Sequence, residues 1–261
     1  MVAPTEDNLG CGARGSVLLI RSPPDVSPSL DGRVIAIAGA GGNLGPTVVR
    51  RLAAAGAKLA LGGRQRQPVE ALAADVDAEV DAAAVDLLDA SSTRAWAEDI
   101  VERLGRVDGL LHLVGGWRGG TPIEEAPLED WEALEPLLIR TLQNATQAFA
   151  PRLVESGRGR FILVSAGQAQ APTHTNAAYA AAKAAAETWT LALADRFRGT
   201  SATANIVVVG SIVTPEMRAE SPEKDFSKGT PAEAIADAFV FLCSDAAATM
   251  NGKRLDLRGA F

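Results

Sequence analysis

The chain of 261 residues is poor in the side chains that most often carry chemistry. It has one tyrosine, two cysteines, two histidines and no uninterrupted run of about eighteen apolar residues. Without such a run no membrane-spanning helix is supported, and a soluble protein is expected. Cys11 and Cys243 show no metal-ligand spacing. Neither His112 nor His174 has a second His, Cys or carboxylate at ligand distance along the chain, so no metal site is expected. Isolated cysteines of this kind fit a reduced, cytoplasmic setting. The formal charge is −7 and the Lys and Arg residues are scattered, which leaves no basic stripe for a nucleic acid. Recognition of a phosphate therefore has to be local.

What the chain does have is hydrophobic residues, at 47% of the total, enough for a sizeable core. Residues 1–29 mix Gly, Pro, Ser and charge around one short apolar run, Val17–Ile20, and read as a flexible N-terminal extension or a tether onto a neighbouring subunit. The run is too short for the core of a secretory signal. From residue 30 to 261 the pattern is that of one domain. Short apolar runs recur at RVIAIAG, KLALGG, EVDAAAVD, VDGLLHLVGG, GRFILVSA, TANIVVVG and KRLDL. Between them, helical spacing follows the first run (NLGPTVVRRLAAAG) and recurs over 67–77, 91–104, 129–155, 176–197 and 231–243. Near-continuous apolar strands alternating with helices predict an α/β fold: a single Rossmann-type doubly wound parallel sheet with helices on both faces.

Two stretches carry the chemistry. AGAGGNLG, Ala38–Gly45, lies between the first strand and the first helix, where glycines let backbone N–H groups approach a pyrophosphate at a helix N-terminus. Further on, Tyr179 stands four residues before Lys183 in AAYAAAKAAAETW, so the two share a helix face. A free phenol titrates near pH ~10, and an adjacent ammonium is expected to favour the phenolate.

These motifs together resemble the short-chain dehydrogenase/reductase family, over about residues 30–261. The resemblance implies binding of NAD(P)(H) and a hydride transfer in which Tyr179 donates or accepts the substrate proton while Lys183 supports it and binds the nicotinamide ribose. It nominates Gly39, Gly42, Asn43, Leu44 and Gly45 for the phosphate turn, with Asn43 at a family glycine and expected to tolerate left-handed backbone. It adds Asp86 and Leu87 beside the adenine, and Ile212 and Thr214 near the carboxamide. Where NAD enzymes of this fold carry an acid after the second strand, this chain has Gly63 followed by Arg64, which favours NADP(H) over NAD(H).

The departures are as informative as the matches. The family serine, thirteen residues before the tyrosine, falls on Ala166, with Ser165 one step earlier. The family asparagine of the long helix falls on Leu138, and Asn144 does not take its place. The Asn-Asn-Ala-Gly after the fourth strand reads HLVG, and Val209-Gly210 replaces Pro-Gly. Candidate substitutes for the lost donor are Gln168, Thr173, His174 and Thr175, an insertion or deletion would bring Ser165 to the serine position, and Trp117, Ser165, Gln168 and His174 are candidate substrate-lining residues. VGGWRGG (114–120) and SPEKDFSKGTP (221–231) resemble segments of dihydropteridine reductase, a branch that keeps Tyr-x-x-x-Lys without the serine and reduces an electron-poor quinonoid substrate. The family also implies a homotetramer or dimer built on the helices at 129–155 and 176–197, and a substrate lid at 215–230. The substrate class these residues imply is a small carbonyl or a conjugated quinonoid or enone compound. A non-redox member of the fold, such as a cyclase, dehydratase, isomerase or cofactor-binding regulator, is the competing reading.

Overall fold

A computed structural model describes residues 28–259 of the chain. The expected flexible extension at 1–29 thus lies, apart from Pro28 and Ser29, outside the described residues. Seven strands form one parallel sheet: β1 (Val34–Ala38), β2 (Lys58–Gly63), β3 (Val80–Ala84), β4 (Gly109–His112), β5 (Arg160–Ala166), β6 (Thr203–Val209) and β9 (Arg254–Asp256). Their order across the sheet is β3-β2-β1-β4-β5-β6-β9. Strands buried on both faces can be apolar throughout, which is why β1 reads VIAIA and β6 reads TANIVVV with every residue buried.

Alternation along the strands sorts the core into two layers. Ile35, Ile37, Leu111, Ile162 and Val164 pack with α1 (Gly45–Ala54) and α8 (Ala232–Cys243). Val34, Ala36, Leu110, Phe161 and Leu163 pack with α3 (Ala90–Leu104), α5 (Thr141–Glu155) and α6 (Ala177–Arg196). Trp96 belongs to the second layer, edge-on to Phe149 with ring centroids 5.0 Å apart. α2 (Arg66–Ala74) follows β2 and buries Val69.

Three features depart from the periodicity. The single helix predicted at 129–155 is α4 (Leu128–Glu135) and α5 joined by a π-helical turn, Pro136–Arg140. Proline supplies no N–H to the preceding turn, so the helix widens there. The predicted lid region contains α7 (Pro215–Glu220), capped by the Thr214 hydroxyl accepting from Met217 N at 3.3 Å. A two-stranded parallel clip, β7 (Ile212–Val213) with β8 (Thr230–Pro231), closes the segment between them into a loop.

β1 pairs with β2 on one side and β4 on the other, so the connections run outward in opposite directions from that point. Loops diverging there open a crevice at the carboxyl ends of the strands.

Candidate active site

A cleft of about 540 Å³ occupies that crevice. Its walls come from each strand end around the switch point: Gly39 and Gly42 after β1, Arg64 and Pro68 after β2, Asp86 and Leu87 after β3, and Leu113 and Gly115 after β4. The π-turn adds Leu137, and α5 adds Thr141.

Two positions of the first turn have no room for a side chain. Gly39 has φ +85°, and a Cβ there would lie 3.0 Å from Val114 N. A Cβ on Gly45 would overlap the Ala40 carbonyl oxygen. The first helix starts at Gly45, directly after the glycines that line the cleft, an arrangement that fits a pyrophosphate. Leu44 is buried behind it. Asn43 is exposed and needs no left-handed backbone: among the described residues every positive φ belongs to glycine.

At the end of β2, a Cβ on Gly63 would come within 2.8 Å of Val69 Cγ1, so a carboxylate at this position collides with the core. Arg64 is exposed on the cleft wall, while Arg66 pairs with Glu70 at 3.2 Å. Asp86 is exposed and accepts from Leu88 N at 3.0 Å; Leu87 is buried. Asn144, which lies beyond the family position, is structural. Its Nδ2 donates to Leu87 O at 2.9 Å and Leu88 O at 3.1 Å, fixing this loop.

Tyr179 and Lys183 sit on α6, Lys183 reaching β5 and Tyr179 packed against α4 and the π-turn. The ammonium lies 5.9 Å from the centre of the tyrosine ring and donates to Val164 O at 3.0 Å. It is also close to the cleft, 4.0 Å from where a Gly115 side chain would begin. Burial pushes the Tyr179 phenol up to about 12, and it pushes Lys183 down to about 8 against the opposing pull of Glu187. The expected lowering of the tyrosine by its lysine is therefore corrected: desolvation wins, and Tyr179 is a neutral phenol, the proton-donating form. Leu138, in the π-turn, packs beside Tyr179 together with Leu134 and Ala182.

The Ser165 hydroxyl is engaged inside the fold. Ser165 is 1% exposed, and its hydroxyl donates to Glu187 Oε1 at 2.6 Å. Glu187 lies one helical turn beyond Lys183, is itself 2% exposed, and also accepts from Gln170 Nε2 and Arg254 Nε. Ala166 is buried and carries no donor. Thr173 and Thr175 hydrogen-bond to each other at 3.2 Å, and His174 is exposed. Gln168 is half-buried in the 3-10 turn after β5. Trp117 is 60% exposed, with a ring atom 3.3 Å from where a Gly119 side chain would begin. Its loop is tied to the approach to α6 by Gly120 N donating to Thr175 O at 2.7 Å. Ile212 is half-buried in the clip, and Thr214 is buried as the cap of α7.

Two partnerships near Lys183 escape a reading of the sequence: that of Glu187 with Ser165 and that of His112 with Thr141. Glu187 continues the series 179, 183, 187 along one helix face, a spacing that could have drawn attention to it. The partnership of His112 with Thr141, at 3.3 Å, crosses 29 residues and leaves no local signal.

A family model described as short chain dehydrogenase matches residues 33–225. The chain belongs to this family. Among curated relatives of this short-chain dehydrogenase, D-threitol dehydrogenase of Mycolicibacterium smegmatis is 29% identical over 89% of the chain and 94% of that protein. A 3-oxoacyl-[acyl-carrier-protein] reductase of Thermotoga maritima is 27% identical over 88% of the chain and 98% of its own length. Among solved structures, a gluconate 5-dehydrogenase from Burkholderia cenocepacia in complex with NADP and tartrate superposes with a TM-score of 0.77 at 25% identity, covering 89% of this chain and 96% of that one. The family and its relatives make this chain an NAD(P)-dependent oxidoreductase. Among the described residues, no helix is long and apolar enough to cross a membrane.

Proposed function

We propose that this short-chain dehydrogenase is an NADP(H)-dependent reductase of small, electron-poor conjugated acceptors, of the quinonoid or enone class or activated carbonyls. Tyr179 is the proton donor and Lys183 its electrostatic and ribose-binding support. The observation that carries this reading is a half-buried, neutral Tyr179 beside Lys183 with no serine donor next to it: position 166 is alanine and the Ser165 hydroxyl is taken by Glu187. Losing one preorganised donor to a developing oxyanion costs about 10²–10³ in rate. An acceptor that is already electron-poor needs that donor least.

When bound, the nicotinamide cofactor supplies or accepts the hydride. The chain's own residues do the rest. Gly39, Gly42, Asn43, Leu44 and Gly45 form a turn that accommodates the pyrophosphate through backbone N–H groups, Asp86 and Leu87 flank the adenosine end, and Ile212 and Thr214 border the carboxamide end. Arg64 meets the 2′-phosphate, a role supported by the lack of room for a carboxylate at Gly63 and by the NADP complex of the Burkholderia relative. Trp117, Gln168 and His174 serve as substrate-lining residues in this reading, and the segment between β7 and β8 as the lid. The exposed Leu128, Trp131 and Trp189 on the α4 and α6 faces support assembly as a homotetramer or dimer. We place the enzyme in the cytoplasm.

Steady-state oxidation of NADPH and NADH across plain ketones, enones, quinones and quinonoid pterins tests this proposal. The expected result is turnover that favours NADPH and is fastest with the quinonoid compounds. Tight binding of NADPH with no oxidation by any acceptor contradicts it.

A further inference from the structure

His112 ends β4 and is 1% exposed. Its Nε2 lies 3.3 Å from Thr141 Oγ1, and that hydroxyl lies 2.7 Å from the Leu137 carbonyl oxygen. A carbonyl only accepts, so the threonine proton points to Leu137 and the threonine oxygen accepts from the imidazole. Nε2 therefore carries the hydrogen. In a neutral ring, Nδ1 is then a bare lone pair, and it is buried with no hydrogen-bond partner among the described residues. The ring is kept neutral, because burial and the positive charge of Lys183 push it down to about 3.

Lys183 presents the complementary deficit. Its ammonium has three N–H donors and is 5% exposed, and among the described residues one of them is used, on Val164 O. His112 is in register with Leu163, the residue before Val164. It shares the sheet face of Leu110 and Leu163, which is the face covered by α5 and α6. A buried lone pair and buried ammonium donors on the same side of the sheet, both short of partners, can satisfy each other through a water placed between them.

We propose that His112 is the positioning residue of Lys183: its Nδ1 lone pair receives a hydrogen bond passed from the Lys183 ammonium through one bridging water, and so holds that ammonium beside Tyr179. This rests on the reading of Lys183 as the partner of Tyr179. No covalent bond changes; the imidazole accepts and stays neutral throughout, so it adds no charge to repel the ammonium. The charged and titratable groups facing Lys183 are Tyr179 and Glu187 on its own helix and His112 on β4, with Arg254 on β9 acting through Glu187.

The chain has two histidines, so histidine-selective 15N NMR, with His174→Gln to assign the pair, reads His112 directly. The expected result is a neutral Nε2–H tautomer from about pH 5 to about pH 9, with an Nδ1 resonance that moves to the free-lone-pair position in Lys183→Met. In turnover, His112→Leu removes the acceptor: kcat falls about tenfold and the high-pH limb moves at least about one pH unit lower, with the acceptor KM held. His112→Asn, which keeps an acceptor, restores the limb. An Nδ1–H tautomer, an Nδ1 signal indifferent to Lys183→Met, or identical limbs in the Leu and Asn variants overturns the proposal. Should the protein turn over no acceptor, the reading of the site fails while the NMR result still decides the His112 contact.

Discussion

At the amino ends of the strands, the Asp108 carboxylate is enclosed by donors: Val34 N at 3.0 Å, the Ser156 hydroxyl at 2.6 Å, and the guanidinium groups of Arg106 and Arg158. At the carboxyl ends, the half-buried Tyr179 has no hydrogen bond among the described residues, and His112 leaves Nδ1 unpaired. Burial opposes the charge on Asp108, yet the bonds from Ser156, Val34, Arg158 and Arg106 hold its carboxyl below the usual range. At Tyr179 and Lys183 burial prevails, keeping one group neutral and bringing the other to about 8. One end of the sheet commits its polar groups to internal hydrogen bonds; the other leaves them for something that binds. Arg160 Nε and Thr203 Oγ1, buried and unpartnered at the amino end, are exceptions to which we attach no role.

This contrast is open to direct attack. Asp108→Ala leaves the buried Val34 N–H without its acceptor and frees two part-exposed arginines to water, at a cost of about 2 kcal/mol, most of it from the stranded N–H. For a chain of this size that lowers Tm by roughly 5 °C. Calorimetry checks it, and cofactor affinity below the transition should be unchanged. At the other end, Arg64→Ala should weaken NADPH binding about tenfold, the effect of losing one charge-assisted contact at an exposed site. NADH binding should not change; equal losses for both cofactors would show that Arg64 does not meet the 2′-phosphate.

The pH dependence of reduction follows from Lys183. Its folded pKa is lowered to about 8, so the ammonium is present below that pH and is lost as pH rises through it. The reduction rate should therefore be level below about pH 8 and fall above it, with no matching fall in Lys183→Arg, whose charge persists. The smallest effect belongs to Ser165→Ala. Turnover should stay within a few-fold of wild type, while stability drops by about 1 kcal/mol for the hydrogen bond lost to Glu187. A hundredfold loss of kcat would return Ser165 to the chemistry.

Strand identity was legible in the sequence because strands buried on both faces leave near-continuous apolar runs, and β1 through β6 fall where those runs lie. The glycine turn and the Tyr179–Lys183 pair were legible for a related reason: each is set by local spacing on a turn or a helix. The π-turn at Pro136–Arg140 was not, since Leu134, Leu138 and Leu142 keep helical periodicity straight through it. The β7–β8 clip is two residues long on each side, too short for any period. Ser165 shows where local reading stops. Its place beside Ala166 is visible in the sequence, but its partner Glu187 is 22 residues away and is reached only through the packing of α6 on β5. The charge states are further out of reach, because desolvation depends on what the fold lays over Tyr179, Lys183 and His112.

The central claim is that proton donation runs through Tyr179 alone, without a neighbouring serine. Single-turnover oxidation of bound NADPH by the best quinonoid acceptor, in wild type and Tyr179→Phe, tests it most directly, with NADPH affinity measured on the same samples. Donation through Tyr179 predicts a loss of about 10²–10⁴ in the rate of oxidation with NADPH affinity unchanged. An oxidation rate in Tyr179→Phe equal to that of wild type would contradict it.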